Sequence, residues 1–241
     1  MSKDHLYRQP LQAPSAFRFD EKVVAVFPDM IERSVPGYAT TIATIRELAE
    51  RTLEDGDRAY DLGCSLGAAT LAMRHGASNR QVQIIGVDNS EAMIAGCRER
   101  LAVDDATAPV DLLLADIRHV ELSECAMVVL NFTLQFLDPG YRLDLLKRVF
   151  AALRPGGMLL LSEKLRFPDH RLNELYIDLH HEFKRANGYS DLEIAQKRNA
   201  LENVLIPDTL DQHLHRLASA GFTSAAPWYQ CFNFASILAV K

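Results

Sequence analysis

Residues 59–67, Ala-Tyr-Asp-Leu-Gly-Cys-Ser-Leu-Gly, constrain the fold more than any other stretch of this chain. A short apolar strand end runs into Asp61. Gly63, Ser65 and Gly67 follow at alternate positions, and a helical pattern runs from Ala68 to Arg74. Small residues at a strand-to-helix turn let the backbone approach a ligand, and the helix behind them opens with unpaired N–H groups. The spacing departs from the dinucleotide fingerprint G-x-G-x-x-G. Taken alone, the turn also fits a tight βα connection with no ligand.

An acid two residues before the first glycine, followed by small residues at every second position, suits S-adenosyl-L-methionine (SAM). That molecule has no pyrophosphate to cradle; it carries a cationic sulfonium and an amino-acid tail. The rest of the chain keeps the same register. Gln83–Val87 reads as a buried parallel strand ending in Asp88-Asn89, about 20 residues after the turn, where an acid meets ribose hydroxyls. Val110–Ala115 is a third strand, ending at Asp116-Ile117, where a short acid can accept from an adenine amino group while the isoleucine packs on the ring. Ala126–Leu130 is a fourth, ending at Asn131, and Met158–Leu161 a fifth, after a helix that ends at Leu153–Gly157. Each acid, singly, also reads as a helix N-cap. Four polar residues in register at successive strand ends point to a shared ligand, because ligands of open α/β sheets sit at the carboxyl ends of the strands.

At 241 residues and 48% hydrophobic, the chain suffices for one α/β domain with a sheet covered on both faces. The net charge of −6 gives no global basic field for nucleic acid. No signal pattern opens the chain, and no apolar run is long enough to span a bilayer. Cys64, Cys97, Cys125 and Cys231 are dispersed, with no C-x-x-C pair, so neither a metal site nor a disulfide framework is expected. The reading is a reducing, cytoplasmic compartment, with Cys64 a small packing residue rather than a nucleophile.

Three segments lie outside the α/β alternation. Residues 1–18 read as a flexible tail, leaving 19–241 as a single domain. A short helical pattern around Glu21–Val26 precedes Phe27-Pro28 and then an amphipathic helix from Tyr38 to Arg51. Between the fifth strand and a helix at His213–Ala220, an insertion of about 164–207 holds two helical stretches, Leu172–Ala186 and Asp191–Asn203, the second opened by a Ser190/Glu193 capping box. The chain closes with strands at Phe222–Ala225 and Phe232–Val240. The whole predicts an α/β, Rossmann-like fold of the class I SAM-dependent methyltransferase type: a seven-stranded, mostly parallel sheet with a helical insertion after strand 5.

The insertion should lie over the strand ends. His180 and His181 are adjacent, so on a helix they point apart and do not form a two-ligand metal site. Gln196-Lys197-Arg198-Asn199 reads as a solvated face, yet an arginine there could meet a carboxylate in a bidentate fork. After the fourth strand comes Asn131-Phe132-Thr133-Leu134-Gln135-Phe136, without the Pro-Pro-aromatic sequence of base N-methylation and without a following cysteine for attack on a pyrimidine. No general base stands out.

Four blocks resemble the carboxy-S-adenosyl-L-methionine synthase family: Val35–Tyr38, Tyr60–Thr70, Val128–Phe136 and His181–Ser190. The resemblance runs from about residue 19 to the end. It implies that SAM and prephenate become carboxy-SAM, phenylpyruvate and water, and that a separate enzyme then uses carboxy-SAM to carboxymethylate 5-hydroxyuridine at the tRNA wobble position. It further implies that Gly63, Cys64 and Ser65 line the amino-acid tail, that Asp88 binds the ribose with Asn89 beside it, that Asp116 and Ile117 hold the adenine, and that Asn131 closes the pocket. Tyr38 and Arg198 become partners of the added carboxylate and the candidate catalytic pair. No metal and no direct contact with nucleic acid is implied, and a homodimer is, with the Leu- and Tyr-rich inserted helices as interface. Two other readings use the same residues: a conventional SAM-dependent methyltransferase acting on a small carboxylic acid, and a non-catalytic carrier of a SAM derivative.

Overall fold

A computed structural model describes residues 3–9, 17–202 and 204–241. In chain order the elements are α1 (Glu21–Ser34), α2 (Tyr38–Thr52), β1 (Arg58–Leu62), α3 (Ala68–Gly76), β2 (Gln83–Asp88), α4 (Glu91–Ala102), β3 (Val110–Leu114), β4 (Cys125–Asn131), α5 (Pro139–Ala152), β5 (Leu153–Lys164), α6 (His170–Ala186), α7 (Asp191–Leu201), α8 (Leu210–Ala220), β6 (Ser224–Cys231) and β7 (Phe234–Val240). One seven-stranded sheet runs in the order β3-β2-β1-β4-β5-β7-β6. β1 to β5 pair in parallel, and β7 inserts antiparallel between β5 and β6. The fold is the class I methyltransferase architecture that the strand pattern predicts.

Alternation along the strands divides the core in two, because successive side chains of a strand point to opposite faces. Tyr60, Leu62, Ile85, Val87, Val128, Leu130 and Leu161 pack on one face with α5 and α8. Ala59, Ile84, Met127, Val129 and Leu160 pack on the other with α2 and α3. The order of strands reverses between β1 and β4, which opens a crevice at their carboxyl ends.

α1 closes that crevice from one side, and here the molecule departs from the sequence pattern. The helix passes through Pro28 and ends at Ser34, well beyond the short pattern around 21–26. A proline inside a helix forfeits one hydrogen bond. Val23, Val26 and Met30 offset that loss by burying one face against Leu66, Met93 and Ala200, and Asp20 caps the first turn. Part of the stretch expected to be a loose tail is also packed. Asp4 is buried, and the Tyr189 hydroxyl donates to its carboxylate at 2.6 Å; Gln196 donates to the carbonyls of Tyr7 and Gln9. Residues 10–16 of that stretch lie outside the described residues. The predicted end of α5 at Leu153–Gly157 is instead strand, since Leu153 pairs with Cys125 before a register shift leads into Met158.

A buried arginine ties the insertion back to the sheet. Arg142 on α5 is fully buried; its Nη1 donates to Asp208 at 2.6 Å, and its other nitrogens donate to the carbonyls of Leu137 and Ile206. Arg216 holds the same Asp208 oxygen at 2.6 Å. The turn after β4 and the far end of the insertion are thereby fixed to one point. Among the described residues no helix is long and apolar enough to cross a membrane.

Candidate functional site

The turn after β1 is shaped by backbone conformation. Gly63 and Gly67 take positive φ (87° and 77°), and a side chain on Gly63 would run into Thr133. Ser65 also sits at positive φ (50°), as does Phe132 (62°) just past β4. Non-glycine residues in that region are strained, and the surrounding structure must impose it. Both lie on a cavity of about 930 Å³ at the strand ends, a volume in the range of small-molecule sites.

Tyr38, Gly63, Cys64, Ser65, Asp88, Asn89, Asp116, Ile117 and Asn131 all line this cavity. Tyr38 opens α2, its ring 6.5 Å from that of Phe132. Asp88 ends β2 with both oxygens engaged by backbone: the Ser65 N–H donates to one at 2.9 Å and the Ser90 N–H to the other at 2.9 Å. Burial pushes its carboxyl above the ordinary range, and those N–H groups pull it back. Asp61, also on the cavity, is buried; its carboxyl rises to about 6 through desolvation while the Thr70 hydroxyl donates to it at 2.6 Å. Asn131 ends β4, and its buried Oδ1 has no hydrogen-bond partner among the described residues. A glycine cradle, an orphaned amide oxygen and paired acids at the strand ends fit a ligand with hydroxyls and a cationic centre, as SAM has.

Three placements refine the sequence reading. Asp116 is held by the Arg118 guanidinium in a fork (Nε at 2.9 and 3.0 Å, Nη2 at 2.5 Å), which keeps its carboxyl below the usual value. Only part of its accepting capacity is left for an adenine amine. Cys64 is buried; a hydrogen bond with Cys97 and desolvation push its thiol upward, which agrees with packing and not with attack. Arg198 is exposed on α7 and is not among the cavity residues of a single chain, although its charge lowers the pKa of Lys164 and His181.

The wall beneath the insertion carries groups that the sequence reading did not select. Lys164 from β5, His180 and Lys184 from α6, and Lys197 from α7 all face the cavity. His180 is buried, neutral and committed, its Nε2 donating to the Ser34 carbonyl at 2.8 Å. The signal was present in the i, i+4 spacing of His180 and Lys184, the two buried residues of α6.

A family model described as methyltransferase domain matches residues 59–157. The carboxy-S-adenosyl-L-methionine synthase of Geobacter sp. (strain M21) is 56% identical over 239 residues, 99% of this chain and 98% of that protein. The one from Actinobacillus pleuropneumoniae serotype 5b is 52% identical over the full length of both. The chain belongs to the carboxy-S-adenosyl-L-methionine synthase family. Distant solved structures share the fold alone. Human N-acetylserotonin methyltransferase in complex with SAM is 17% identical with a TM-score of 0.60, covering 92% of this chain and 55% of that one. An O-methyltransferase family protein from Burkholderia thailandensis is 16% identical with a TM-score of 0.62, covering 92% and 60%. The family is one of enzymes, and SAM and carboxy-SAM are its substrate and product.

Proposed function

We propose that this enzyme converts SAM and prephenate into carboxy-SAM, phenylpyruvate and water. The observation that carries the reading is identity above one half, over essentially the whole chain, to a protein named carboxy-S-adenosyl-L-methionine synthase. The strand-end geometry supports it. Asp88 takes the ribose hydroxyls, with Asn89 beside it. Gly63, Cys64 and Ser65 lie along the amino-acid tail, Asp116 and Ile117 at the adenine, and Asn131 closes the pocket. Asp61, a buried carboxylate without a cationic partner among the described residues, faces the ammonium or sulfonium.

The chemistry balances without a protein base. The ring carboxyl of prephenate leaves as carbon dioxide; its bonding electrons make the ring aromatic and expel the ring hydroxyl as hydroxide. The hydroxide removes a proton from the sulfonium methyl, giving water and an ylide. The ylide carbon bonds to the carbon dioxide. The protein positions the two partners and excludes water from a cavity whose walls are mainly apolar. Tyr38 and Arg198 hold the new carboxylate, and because Arg198 is exposed in one chain, a second copy is the natural complement. Leu172, Leu175 and Leu179 form an exposed apolar stripe on α6 that supports a homodimer. The reaction belongs in the cytoplasm, its product passing to a separate enzyme that modifies the tRNA wobble uridine, with no direct contact between this chain and nucleic acid.

The test is mass spectrometry of the small molecule that copurifies with the protein, followed by incubation with SAM and prephenate. A SAM derivative heavier by one carboxyl group, with phenylpyruvate released, supports the reading. A methylated acid with S-adenosylhomocysteine replaces it by methyl transfer, and no turnover by a carrier.

A further inference from the structure

The cavity is polarised. At the ends of β1 and β2 it presents Asp61 and Asp88. Under the insertion, on β5, α6 and α7, it presents Lys164, Lys184 and Lys197. Lys184 and Lys197 are each only 7% exposed. Among the described residues none of the three lysines forms an ion pair. Lys197 Nζ donates to the Ser34 hydroxyl at 2.9 Å, and Lys164 Nζ lies 5.9 Å from the centre of the Phe234 ring. Lys184 has no hydrogen-bond partner for its ammonium among the described residues. Lys164 and Lys197 are close enough to lower its pKa, so Lys184 sits against two like charges.

Buried ammonium groups are costly unless paired, and three together with no ion pair among the described residues are costlier. Burial lowers Lys164 and Lys197 to about 8 and Lys184 to about 7, so the charged form of the cluster is only weakly favoured. Arg198 bears on Lys164; at Lys197, burial lowers the ammonium, Asp4 and Asp29 favour its charge, and Arg33 opposes it. Such a cluster is held ready for negative charge that the protein does not itself supply. Of the two substrates, SAM brings one carboxylate and a net positive charge. Prephenate brings two carboxylates and no cation.

We propose that Lys164, Lys184 and Lys197 are the seat of the two prephenate carboxylates, so that the inserted helices select the second substrate as a dianion. The inference rests on the reaction proposed above and adds the residues that recognise its second substrate. It also assigns a division of labour. The side-chain carboxylate of prephenate keeps its charge throughout, whereas the ring carboxylate loses it as carbon dioxide forms. Cations that hold the ground-state charge lower KM without raising kcat. Removing a lysine should therefore appear mainly in KM.

The experiment takes the full chain with Lys164→Met, Lys184→Met and Lys197→Met. Methionine keeps the apolar stem of the side chain and removes the charge. Expected are a prephenate KM higher by roughly tenfold or more for each lysine lost, unchanged SAM affinity by calorimetry, and a Tm equal to or above wild type because an uncompensated charge has gone. Lys184→Arg, which keeps the charge, should recover part of the affinity. Calorimetry of prephenate in buffers of different ionisation enthalpy should show proton uptake on binding at pH 8, reduced in Lys184→Met because Lys164 and Lys197, also lowered to about 8, still contribute. An unchanged prephenate KM in all three variants overturns the proposal. So does a loss of SAM affinity equal to the loss for prephenate, which would give the lysines to the SAM carboxylate. A wild-type chain that binds prephenate without turning it over, with binding lost in the variants, keeps the seat and removes the reaction; one that does not bind prephenate removes both.

Discussion

The Ser65 backbone N–H donates to the Asp88 carboxylate at 2.9 Å, tying the turn after β1 to the end of β2. The same carboxylate that faces the cavity also holds Ser65 in its positive-φ conformation. Asp88→Ala should therefore remove a charge-assisted contact to ribose and loosen the turn beneath the amino-acid tail. Each such hydrogen bond is worth roughly 1.5–3 kcal/mol. SAM and carboxy-SAM should both weaken at least about tenfold by calorimetry. Undiminished affinity for both would remove Asp88 from the site.

Arg198 makes a sharper distinction. If it meets the added carboxylate, Arg198→Ala weakens carboxy-SAM by about tenfold or more while leaving SAM nearly unchanged. Arg198→Lys should recover only part, since a point charge does not reproduce a guanidinium fork. A ratio of the two dissociation constants that stays at the wild-type value assigns the carboxylate to other groups.

Most of the fold was legible because the parallel strands are short apolar runs that stop at polar residues, as at Val87-Asp88 and Leu130-Asn131. The same stops marked the end of the cavity lined by Asp61, Asp88, Asp116 and Asn131. The lysine end was not legible, and α6 shows why. Its Leu172, Leu175 and Leu179, on a helix read from sequence as interface, are exposed, while His180 and Lys184, which the sequence reading did not select for the site, are buried against the cavity. An amphipathic pattern identifies two faces but does not say which one meets the rest of its own chain when an interface or a polar cavity is the alternative. α1 failed for a related reason: the proline at position 28 breaks the local pattern, and burial of Val23, Val26 and Met30 carries the helix through it.

The buried hub at Arg142 and Asp208 should dominate the stability of the insertion. Arg142→Met strands Asp208 beside Arg216 alone and leaves the carbonyls of Leu137 and Ile206 without their donor. Breaking a buried pair from one side costs about 3–5 kcal/mol, which denaturant unfolding can measure. The paired arginines hold the Asp208 carboxyl below its ordinary value against the cost of burial. Its contribution is present above the unfolded-state pKa of about 3.9 and is lost as pH falls through the lower folded value. Asp208→Asn should flatten that acid limb of the stability profile.

Glu163 gives the opposite sign. It is buried at the end of β5, accepts from the Leu134 N–H at 2.9 Å and leaves Oε2 without a partner; desolvation raises its carboxyl to about 8. The folded chain therefore holds a proton that the unfolded chain releases near pH 4.3, so stability declines as pH rises from there to about 8. Glu163→Gln keeps the shape and removes the titration. The variant should lose less stability than wild type between pH 5 and pH 8; equal slopes would show that Glu163 is ionised in the folded state.

The most direct test of the account follows atoms through one turnover. The enzyme is given SAM with a fully deuterated methyl group and prephenate carrying carbon-13 in its ring carboxyl, and the products are weighed by mass spectrometry. The account predicts carboxy-SAM that contains the labelled carbon and has lost one deuteron of the methyl group, together with unlabelled phenylpyruvate. Carboxy-SAM without the carbon-13, or an intact trideuteromethyl group transferred to an acid with release of S-adenosylhomocysteine, would contradict it.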